Sequence, residues 1–363
     1  MTRAPLQFVR QGLGFVGTGA VERVEFAGDA QIADAASWWR TRAASLPPSA
    51  VAFGAFAFDP VASSTPGVLL LPERVDRVDA TPAPARAASA GAVSGDPVSS
   101  RPGDMPPAAY EASVAAAVAA IRRGEVEKVV IARDVLVRGG AAGDPAAVLS
   151  ALDRGDPRVA VFAVDGMIGA SPETLVSVRD GRFRARVLAG TAPAGQGAAL
   201  LASAKDRAEH VFAVASVLDA LGGHVREVVS EAEPFALELP QLTHLATDVT
   251  GIVADDSSVL DLVAALHPTA AVAGTPTAAA IRLIRELEPF DRGRYAGPVG
   301  WVDAAGDGEW AIALRCARVE PDGAMRAYAG AGIVADSNPA AELAETELKL
   351  RAILDAIGGA SGR

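Results

Sequence analysis

The chain has 363 residues, of which 50% are hydrophobic and 21% charged, and its net charge is −11. This length and composition predict one large or two ordinary globular domains and exclude a largely disordered chain. The negative charge argues against nucleic acid or an anionic membrane as the main partner. A single cysteine, Cys316, excludes a disulfide framework, and no apolar run has the length of a signal-peptide core or a membrane span. We therefore expect a soluble cytoplasmic protein.

The N-terminal residues 1–79 show strand patterns and one predicted helix at residues 29–44. Residues 51–59, VAFGAFAFD, form an apolar run typical of a buried strand, with Gly54 at a point of close packing. Residues 80–106 are rich in Pro, Ala, Ser and Gly and lack periodicity. We predict a linker or mobile loop there.

A candidate base lies on the next predicted strand. Residues 107–123 have the spacing of a helix, and residues 126–137, VEKVVIARDVLV, predict the strand that follows it. Lys128 shares a face of this strand with Val130 and Ala132. Loss of solvation on an apolar face lowers the pKa of a lysine, which would make Lys128 available as a base. The alternative is an edge lysine whose ammonium reaches water, and the spacing alone favours that alternative.

Two carboxylates follow in the middle of the chain. An apolar strand predicted at 159–170 runs into a proline that fixes the backbone in front of Glu173. Residues 182–188 alternate as a further strand, and residues 198–221 carry apolar side chains at helical spacing. Glu209 lies on this predicted helix and could point toward a polar site, although a surface carboxylate is the default alternative.

Later strands carry further polar candidates. The strand predicted at 242–247 contains His244, and the strand predicted at 310–319 contains Arg315. A single histidine in a strand is usually a core residue with satisfied hydrogen bonds. No pair of His and Cys shows zinc spacing, and neither a G-x-S-x-G motif nor a phosphate-binding P-loop occurs. Strands with interspersed helices predict an α+β or mixed α/β fold.

The segment 327–351, AYAGAGIVADSNPAAELAETELKLR, predicts a short strand, a glycine turn at Gly330 and Gly332, and a helix. Asn338 is placed as its N-cap and Pro339 at its first position. The glycines also match G-x-G-x-x-A, the dinucleotide fingerprint. That fingerprint should open a βαβ unit, whereas only about thirty residues follow and they predict a single helix. We therefore regard the match as accidental.

On the predicted C-terminal helix, Glu342, Glu345 and Lys349 fall within one arc of roughly 60°. Two carboxylates and an ammonium lie close to a glycine turn with uncovered N–H groups. Such a set suits a hydrated Mg²⁺ that bridges to an anionic ligand, because Mg²⁺ prefers hard oxygen ligands. The alternative is a solvated helix face with i,i+3 and i,i+4 pairs, and this segment alone favours it.

Together, these stretches resemble the chorismate-utilising enzymes, which comprise isochorismate, salicylate, anthranilate and aminodeoxychorismate synthases. The matching pieces, in family order, are EKVVIAR, GASPETL, LAGTA, KDRAEH, LTHLAT, LHPTAAVAGTP, FDRGRYAGPVGW, IALRCA and AGAGIV…NPAAELAETELK. The resemblance implies an α+β fold in which two large, stacked, mainly antiparallel sheets flanked by helices form a single domain with a central active-site cleft. Residues 1–79 would be the N-terminal part of this sandwich and residues 107–358 the chorismate-binding catalytic region.

The resemblance also implies roles for individual residues. Lys128 matches the general base that activates water at C2 of chorismate, and Glu173 matches the general acid that protonates the departing C4 hydroxyl. Glu209 and Glu345 match Mg²⁺ ligands, with Glu342 in or beside the metal shell. The positions that match substrate-binding groups are Ala189, Gly190, Thr191, His244, Thr269, Tyr295, Arg315, Gly330, Gly332 and Lys349.

Several positions favour one branch of the family. Ala189 stands where aminodeoxychorismate synthases carry a nucleophilic lysine, and HVFAVASVLDALGG and HPTAAVAGTPTAA resemble the isochorismate and salicylate branch. Retention of Lys128 favours addition of water over addition of ammonia. We therefore expect an Mg²⁺-dependent isochorismate synthase, an isomerase that serves menaquinone or siderophore biosynthesis.

Salicylate synthase is the alternative, with Leu314 and Tyr328 at positions where pocket shape decides between the two, and anthranilate synthase component I is less favoured. The alternative from outside the enzymes is a silent chorismate-binding protein. Such a protein would lack Lys128, Glu173 or a metal carboxylate, and this sequence retains all of them. The resemblance favours a monomer with no obligatory glutaminase subunit.

Overall fold

The computed structural model describes residues 6–19, 22–79, 98–153, 159–193, 195–238, 242–254 and 256–358. The strands are, in chain order, β1 (Leu6–Arg10), β2 (Leu13–Thr18), β3 (Glu22–Phe26), β4 (Val51–Ala55), β5 (Gly67–Leu71), β6 (Arg74–Asp79), β7 (Ser99–Pro102), β8 (Lys128–Arg138), β9 (Ala160–Val164), β10 (Met167–Ser171), β11 (Thr174–Arg179), β12 (Arg182–Pro193), β13 (Val225–Ser230), β14 (Phe235–Glu238), β15 (Leu242–Val253), β16 (Gly274–Thr275), β17 (Pro298–Asp303), β18 (Gly308–Ile312), β19 (Cys316–Val319) and β20 (Met325–Ile333). The helices are α1 (Gln31–Ala43), α2 (Pro107–Arg122), α3 (Pro145–Leu152), α4 (Gly197–Ala202), α5 (Ala204–Leu221), α6 (Val259–Leu266), α7 (Thr277–Leu287) and α8 (Pro339–Gly358).

Within these residues the strands form two ten-stranded sheets. The first has the order β16-β8-β20-β19-β10-β9-β1-β2-β6, with β7 also paired to β8, and the second has the order β13-β15-β12-β11-β18-β17-β4-β5-β3, with β14 also paired to β15. Neighbouring strands pair antiparallel, and the main hydrophobic core contains side chains from both sheets. Helices α2, α3, α7 and α8 pack on the first sheet, whereas α1, α4, α5 and α6 pack on the second. The predicted architecture of two stacked antiparallel sheets flanked by helices is confirmed.

Several predicted elements form close to their expected bounds. Helix α1 corresponds to the helix predicted at 29–44, α2 to the helix predicted at 107–123 and β8 to the strand predicted at 126–137. Each observed end lies within two residues of the predicted end. The strand predicted at 51–59 is shorter, because β4 ends at Ala55. Among the helices that the structure describes, none combines the length and the apolar character that a membrane span requires.

The single strand predicted at 159–170 is wrong. The structure has a hairpin there, β9 and β10, which turns at Asp165 and Gly166 with φ values of 46° and 82°. An Asp-Gly pair favours the tight hairpin turn in which both central residues have positive φ. The alternation signal was hidden because both faces of β9 are buried, so its residues are apolar on both sides.

The single strand predicted at 310–319 is also wrong. Strand β18 belongs to the second sheet and β19 to the first, so the chain crosses between the sheets over residues 313–315. Arg315 lies in this crossing with a φ of 49°. Strand β18 is buried throughout and β19 at Cys316 and Ala317, and residues 313–315 contain no glycine or proline that would mark the break between them.

Two further predictions need correction. The helix predicted at 198–221 is divided into α4 and α5 at Ser203, whose Oγ accepts a hydrogen bond from the Asp206 N–H at 3.3 Å and caps α5. In the segment 80–106, predicted as a linker or loop, residues 80–97 lie outside the described residues. Residues 99–102 form β7 and pair with β8.

Candidate active site

Gly330 and Gly332 lie within a strand, so the glycine turn predicted for them is wrong. Both belong to β20, where Gly330 is opposite Ala132 and Gly332 is opposite Val130 of β8. The run of small residues lacks the β-branched and aromatic side chains typical of strands. Its pairing with β8 is what makes it a strand.

The backbone groups of these glycines nevertheless lie outside the β8–β20 ladder. The N–H groups of Val130 and Ala132 donate to a loop carbonyl and to a buried carboxylate on the other edge of β8, at 2.9 and 2.8 Å. In an antiparallel pair, the backbone N–H and C=O groups of two opposite residues either bond to each other or all point away from the partner strand. The N–H groups of Gly330 and Gly332 therefore point to the far edge of β20. Among the described strands, β19 covers that edge only as far as Ala327.

Lys128 faces the cleft from the beginning of β8. Its side chain lies across Gly332, because a Cβ atom at Gly332 would be 2.8 Å from Lys128 Cε and 3.5 Å from Nζ. The charge of Lys128 acts on both Glu173 and His244. The three predicted residues thus belong to one site, which disfavours the alternative of an edge lysine directed into bulk water.

Glu173 lies where the chain crosses between the sheets, after β10 and before β11. Its N–H donates to Ser171 Oγ at 3.2 Å, and its carbonyl accepts from the Ile312 N–H at 3.0 Å. The second crossing, which carries Arg315, lies alongside, and the Arg315 carbonyl accepts from the Ala170 N–H at 3.3 Å. These two adjacent crossings bring Glu173 and Arg315 into the same site, although they are far apart in the sequence.

The Glu173 carboxyl has the electrostatic environment of a proton donor. Burial raises its pKa above the ordinary value, and the ammonium groups of Lys128 and Lys349 only partly oppose this increase. The residue still has some solvent-accessible surface, as expected for a group on the wall of a cleft. The protonated form is therefore retained to a higher pH than in an exposed glutamate.

Arg315 provides a partly buried positive charge. Burial lowers the pKa of its guanidinium, with Tyr295 and Glu345 nearby to oppose that effect. Among the described residues, the guanidinium has neither a hydrogen bond nor an ion pair with a side chain. Because a half-buried guanidinium is costly to leave without a counter-ion, this arrangement suits an anionic ligand.

Helix α8 presents the predicted polar face to the open edge of β20. Asn338 Oδ1 caps the helix by accepting two backbone N–H groups, each at 3.1 Å. Lys349 Nζ lies 2.6 Å from Glu345 Oε1 and donates to the Gly330 carbonyl at 2.8 Å. The predicted N-cap is confirmed, and the face that carries Glu345 and Lys349 reaches the site.

Glu342 and Glu345 form a pair of oxygen donors. Burial raises the pKa of Glu342, and the nearby carboxylate of Glu345 adds to this effect. A divalent cation would relieve the repulsion, and carboxylate oxygens are ligands that Mg²⁺ accepts, so the pair fits this metal. The third predicted ligand, Glu209, lies on α5, but its side chain is outside the described part of the structure. Among the side chains that are described, no group of three or more His, Cys, Asp or Glu converges.

The region of Ala189, Gly190 and Thr191 forms an irregularity in β12. The pairing register with β15 shifts between Leu188 and Thr191, and Gly190 has a φ of 83°. His244, opposite Thr191, is hydrogen-bonded to the backbone of Gly190, and burial lowers its pKa, which favours the neutral ring. The Thr191 side chain lies outside the described part of the structure.

Thr269 and Tyr295 contribute two further polar groups. Thr269 Oγ1 is buried and has no hydrogen-bond partner among the described residues. The ring of Tyr295 stacks on Tyr328 at 4.9 Å, and Tyr295 Oη would lie 3.2 Å from a Cβ atom at Gly330. Tyr328 is 1% exposed, so it acts on the site through the position of Tyr295.

Sequence reasoning missed one supporting group, His210. Its Nδ1 donates to the Ala189 carbonyl at 3.0 Å, and its Nε2 accepts from Thr247 Oγ1 at 2.7 Å. It therefore joins α5 to the irregular part of β12. One signal in the sequence could have identified it. His210 directly follows Glu209, in a predicted helix whose regularly spaced residues are otherwise apolar.

A buried ion pair behind β8 was also missed. Arg292 binds Glu288 through two contacts of 2.8 and 2.5 Å and donates to the carbonyls of Val130 and Val272 at 2.8 and 3.0 Å. Glu288 in turn accepts from the Ala132 N–H at 2.8 Å. The pair thus joins the strand that carries Lys128 to the loop that carries Thr269. Its i,i+4 spacing is visible in the sequence, but its burial is not.

Three comparisons relate this site to known proteins. A family model described as chorismate binding enzyme matches residues 79–358. A relative from Mycobacterium tuberculosis named "Putative isochorismate synthase MenF" is 40% identical over 276 residues, which cover 70% of this chain and 74% of the relative.

Two solved structures share the whole architecture. The crystal structure of the "putative 2,3-dihydroxybenzoate-specific isochorismate synthase, DhbC" from Bacillus anthracis has a TM-score of 0.81 and 30% identity, and the match covers 99% of this chain and 97% of that chain. MenF, the menaquinone-specific isochorismate synthase from Escherichia coli, has a TM-score of 0.76 and 25% identity, with 97% of this chain and 89% of that chain covered.

Proposed function

Because the chain belongs to the chorismate-binding enzyme family, we propose that it is an isochorismate synthase that converts chorismate to isochorismate with Mg²⁺. One observation carries the proposal. Lys128 and Glu173 face the same cleft, and burial raises the pKa of the Glu173 carboxyl despite the nearby ammonium of Lys128. A base and a protonated acid at one site are what the exchange of a hydroxyl group requires.

The reaction adds one water and releases another. Lys128, in its neutral form, takes a proton from the water whose oxygen forms a bond to C2. The two conjugated double bonds of the ring shift, and the C4–O bond breaks. Glu173 gives its proton to the departing oxygen, because hydroxide is a poor leaving group. Exchange of protons with solvent restores both residues, and the same groups serve the reverse reaction with their roles exchanged.

The remaining residues bind and orient the substrate. Arg315 and the N–H groups of Gly330 and Gly332 would bind substrate carboxylates, since these N–H groups point to the open edge of β20 and the guanidinium has no side-chain partner among the described residues. Tyr295 Oη lies over the face of β20 at Gly330, beside that edge. His244 and Thr269, together with Ala189, Gly190 and Thr191, would line the pocket around the ring.

The metal site would be formed by Glu342 and Glu345 of α8 together with Glu209 of α5. When bound there, Mg²⁺ supplies positive charge that offsets the ring carboxylate in a protein of net charge −11. Lys349 contacts Glu345 and the Gly330 carbonyl, and so joins the metal ligands to the strand that binds the carboxylate.

We further propose menaquinone or siderophore biosynthesis as the destination of the product. Of the two similar solved structures, one is a menaquinone-specific and the other a putative 2,3-dihydroxybenzoate-specific isochorismate synthase. With water as the nucleophile, the enzyme needs no glutaminase subunit to supply ammonia, and we expect it to work as a monomer. Size-exclusion chromatography with light scattering measures the oligomeric state.

Product analysis tests the proposal. The purified full chain is incubated with chorismate and Mg²⁺ in the absence of ammonium, and the products are separated by chromatography. We expect isochorismate and chorismate in the same ratio whichever of the two is supplied. Salicylate with pyruvate would assign the chain to the salicylate synthases. Anthranilate formed only on addition of ammonium would show that water is not the nucleophile.

A further inference from the structure

The side chain of Lys128 lies across a position that has no side chain. A Cβ atom at Gly332 would be 2.8 Å from Lys128 Cε and 3.5 Å from Lys128 Nζ, and apart from its chain neighbours it would meet no other atom of the described residues within 4 Å. Gly332 is not among the residues of positive φ, so its backbone conformation is open to alanine. Among the described residues, the obstacle to a side chain at position 332 is therefore Lys128.

A second glycine beside Lys128 has a different reason to be glycine. Gly274 of β16 has a φ of 135°, and a Cβ atom there would be 2.2 Å from the Lys128 carbonyl oxygen and 2.8 Å from Val129 Cα. These obstacles are backbone atoms, which cannot move without disrupting the sheet. Gly274 thus allows β16 to pair with β8, whereas Gly332 accommodates the end of a flexible side chain.

The neighbouring glycine of β20 provides a natural comparison. A Cβ atom at Gly330 would be 3.1 Å from the Ile131 carbonyl oxygen, 3.2 Å from Tyr295 Oη and 3.3 Å from Val130 Cγ1. Lys128 is not among these atoms. Substitutions at these two glycines of β20 therefore affect two different groups, Lys128 at Gly332 and Tyr295 at Gly330.

We propose that Gly332 is a positioning residue for the base: the missing side chain at position 332 sets the path of Lys128 into the cleft. The inference rests on the proposed function of Lys128. A Cβ atom at 332 would push Lys128 Cε from 2.8 Å to at least the 3.4 Å of an ordinary contact, and the ammonium would move with it. A displacement of this order is costly for a proton transfer, because rates fall steeply when reacting groups leave their productive geometry.

This role is separate from the donation of a backbone N–H to a substrate carboxylate. Alanine keeps the N–H of residue 332, so a function of the backbone alone would survive the substitution. The steric role would not survive it. Gly332→Ala therefore distinguishes the two roles in a single variant.

The test compares Gly332→Ala with Gly330→Ala, using the full chain with chorismate and Mg²⁺. For Gly332→Ala we expect kcat to fall by about 10- to 100-fold while KM stays within about twofold. The acidic limb of kcat/KM against pH, which reports deprotonation of the base, should also move. For Gly330→Ala we expect the main change in KM and no movement of the acidic limb, because Tyr295 and the carboxylate site are affected instead. Wild-type kcat and an unchanged acidic limb in Gly332→Ala would overturn the inference and leave the proposed function intact.

A double-mutant cycle with Lys128→Ala separates positioning from damage to the fold. In the Lys128→Ala background, a Cβ atom at 332 has no described side chain in its way, so Gly332→Ala should lower neither the residual rate nor the melting temperature. An equal loss in both backgrounds would overturn the inference, because the methyl group would then act on the strand itself. The thermal half of the cycle tests the contact even if the wild-type protein fails to convert chorismate, an outcome that would refute the proposed function alone.

Discussion

At the scale of single residues, the proposed chemistry requires that the Glu173 carboxyl keeps its proton while nearby Lys128 loses its own. Burial raises the pKa of Glu173, whereas Lys128 and Lys349 lower it. If the carboxyl were exposed, the two ammonium groups would dominate and Glu173 would be ionised at neutral pH. The burial of the Glu173 carboxyl is therefore what would allow the proposed acid to function beside the proposed base.

Removal of the base tests its role directly. We expect Lys128→Ala to lower kcat by about 10²- to 10⁴-fold, the usual contribution of a general base, while chorismate still binds in the presence of Mg²⁺. Turnover and calorimetric binding measure the two effects. Glu127→Ala, which removes an exposed neighbouring side chain, is the control. Wild-type turnover in Lys128→Ala would refute the assignment.

The pH dependence tests the acid. In the proposed mechanism Glu173 acts when protonated, so activity should be lost as the pH rises through the pKa of its carboxyl. Because the Lys349 ammonium lowers that pKa, Lys349→Met should raise it and move the alkaline limb of kcat to higher pH. Lys349→Arg keeps the charge and should leave the limb near its original position. A movement of the limb to lower pH in Lys349→Met would contradict the assignment.

At the scale of elements, α8 and the strand β8 each carry part of the site, and each can be tested separately. The polar face of α8 carries two of the proposed metal ligands. We expect Glu345→Gln to raise the Mg²⁺ concentration needed for half-maximal activity, because it removes one charge from the metal site. Glu347→Gln, an exposed change on the same helix, is the control. An unchanged Mg²⁺ requirement in Glu345→Gln would place the metal elsewhere.

The buried ion pair behind β8 should matter for stability. The side chains of Arg292 and Glu288 are 3% and 1% exposed, and Arg292 Cζ lies 4.4 Å from the centre of the Phe58 ring. Arg292→Met leaves Glu288 buried without its partner, so we expect a loss of about 3–5 kcal/mol in the free energy of unfolding. Addition of Glu288→Gln should recover part of that loss. Urea unfolding measures the free energy of unfolding of both variants. A loss below about 1 kcal/mol for Arg292→Met would mean that water solvates Glu288 in place of Arg292 and would contradict the prediction.

Sequence reasoning predicted those elements whose ends are marked by neighbouring residues. It failed where an element depends on contacts between distant parts of the chain. Asn338 and Pro339 correctly marked the beginning of α8, because capping depends only on neighbouring residues. The crossing at Arg315 was missed because only three residues separate β18 from β19 and none of them is a glycine or proline that marks a break. The turn predicted at Gly330 and Gly332 was wrong because the pairing of β20 with β8 is a long-range property.

At the scale of the whole molecule, the site exists because the chain crosses between two sheets at adjacent points. One crossing carries Glu173, the other carries Arg315, and backbone hydrogen bonds join them. Strands from residues 6–79 also contribute to both sheets, so the N-terminal part belongs to the same sandwich. Periodicity predicted only a mixture of helices and strands, since strand order depends on contacts between distant residues. The two-sheet architecture was predicted from the family resemblance.

Isotope labelling tests the central claim, that an external water adds at C2 as the C4 hydroxyl departs. Chorismate and Mg²⁺ are incubated with the enzyme in ¹⁸O-labelled water, and the isochorismate is analysed by mass spectrometry. Isochorismate without enzyme in the same water is the control for spontaneous exchange. We predict one ¹⁸O atom in each newly formed isochorismate, at the C2 hydroxyl. Unlabelled product would mean that the hydroxyl migrates within the substrate, and it would contradict the roles proposed for Lys128 and Glu173.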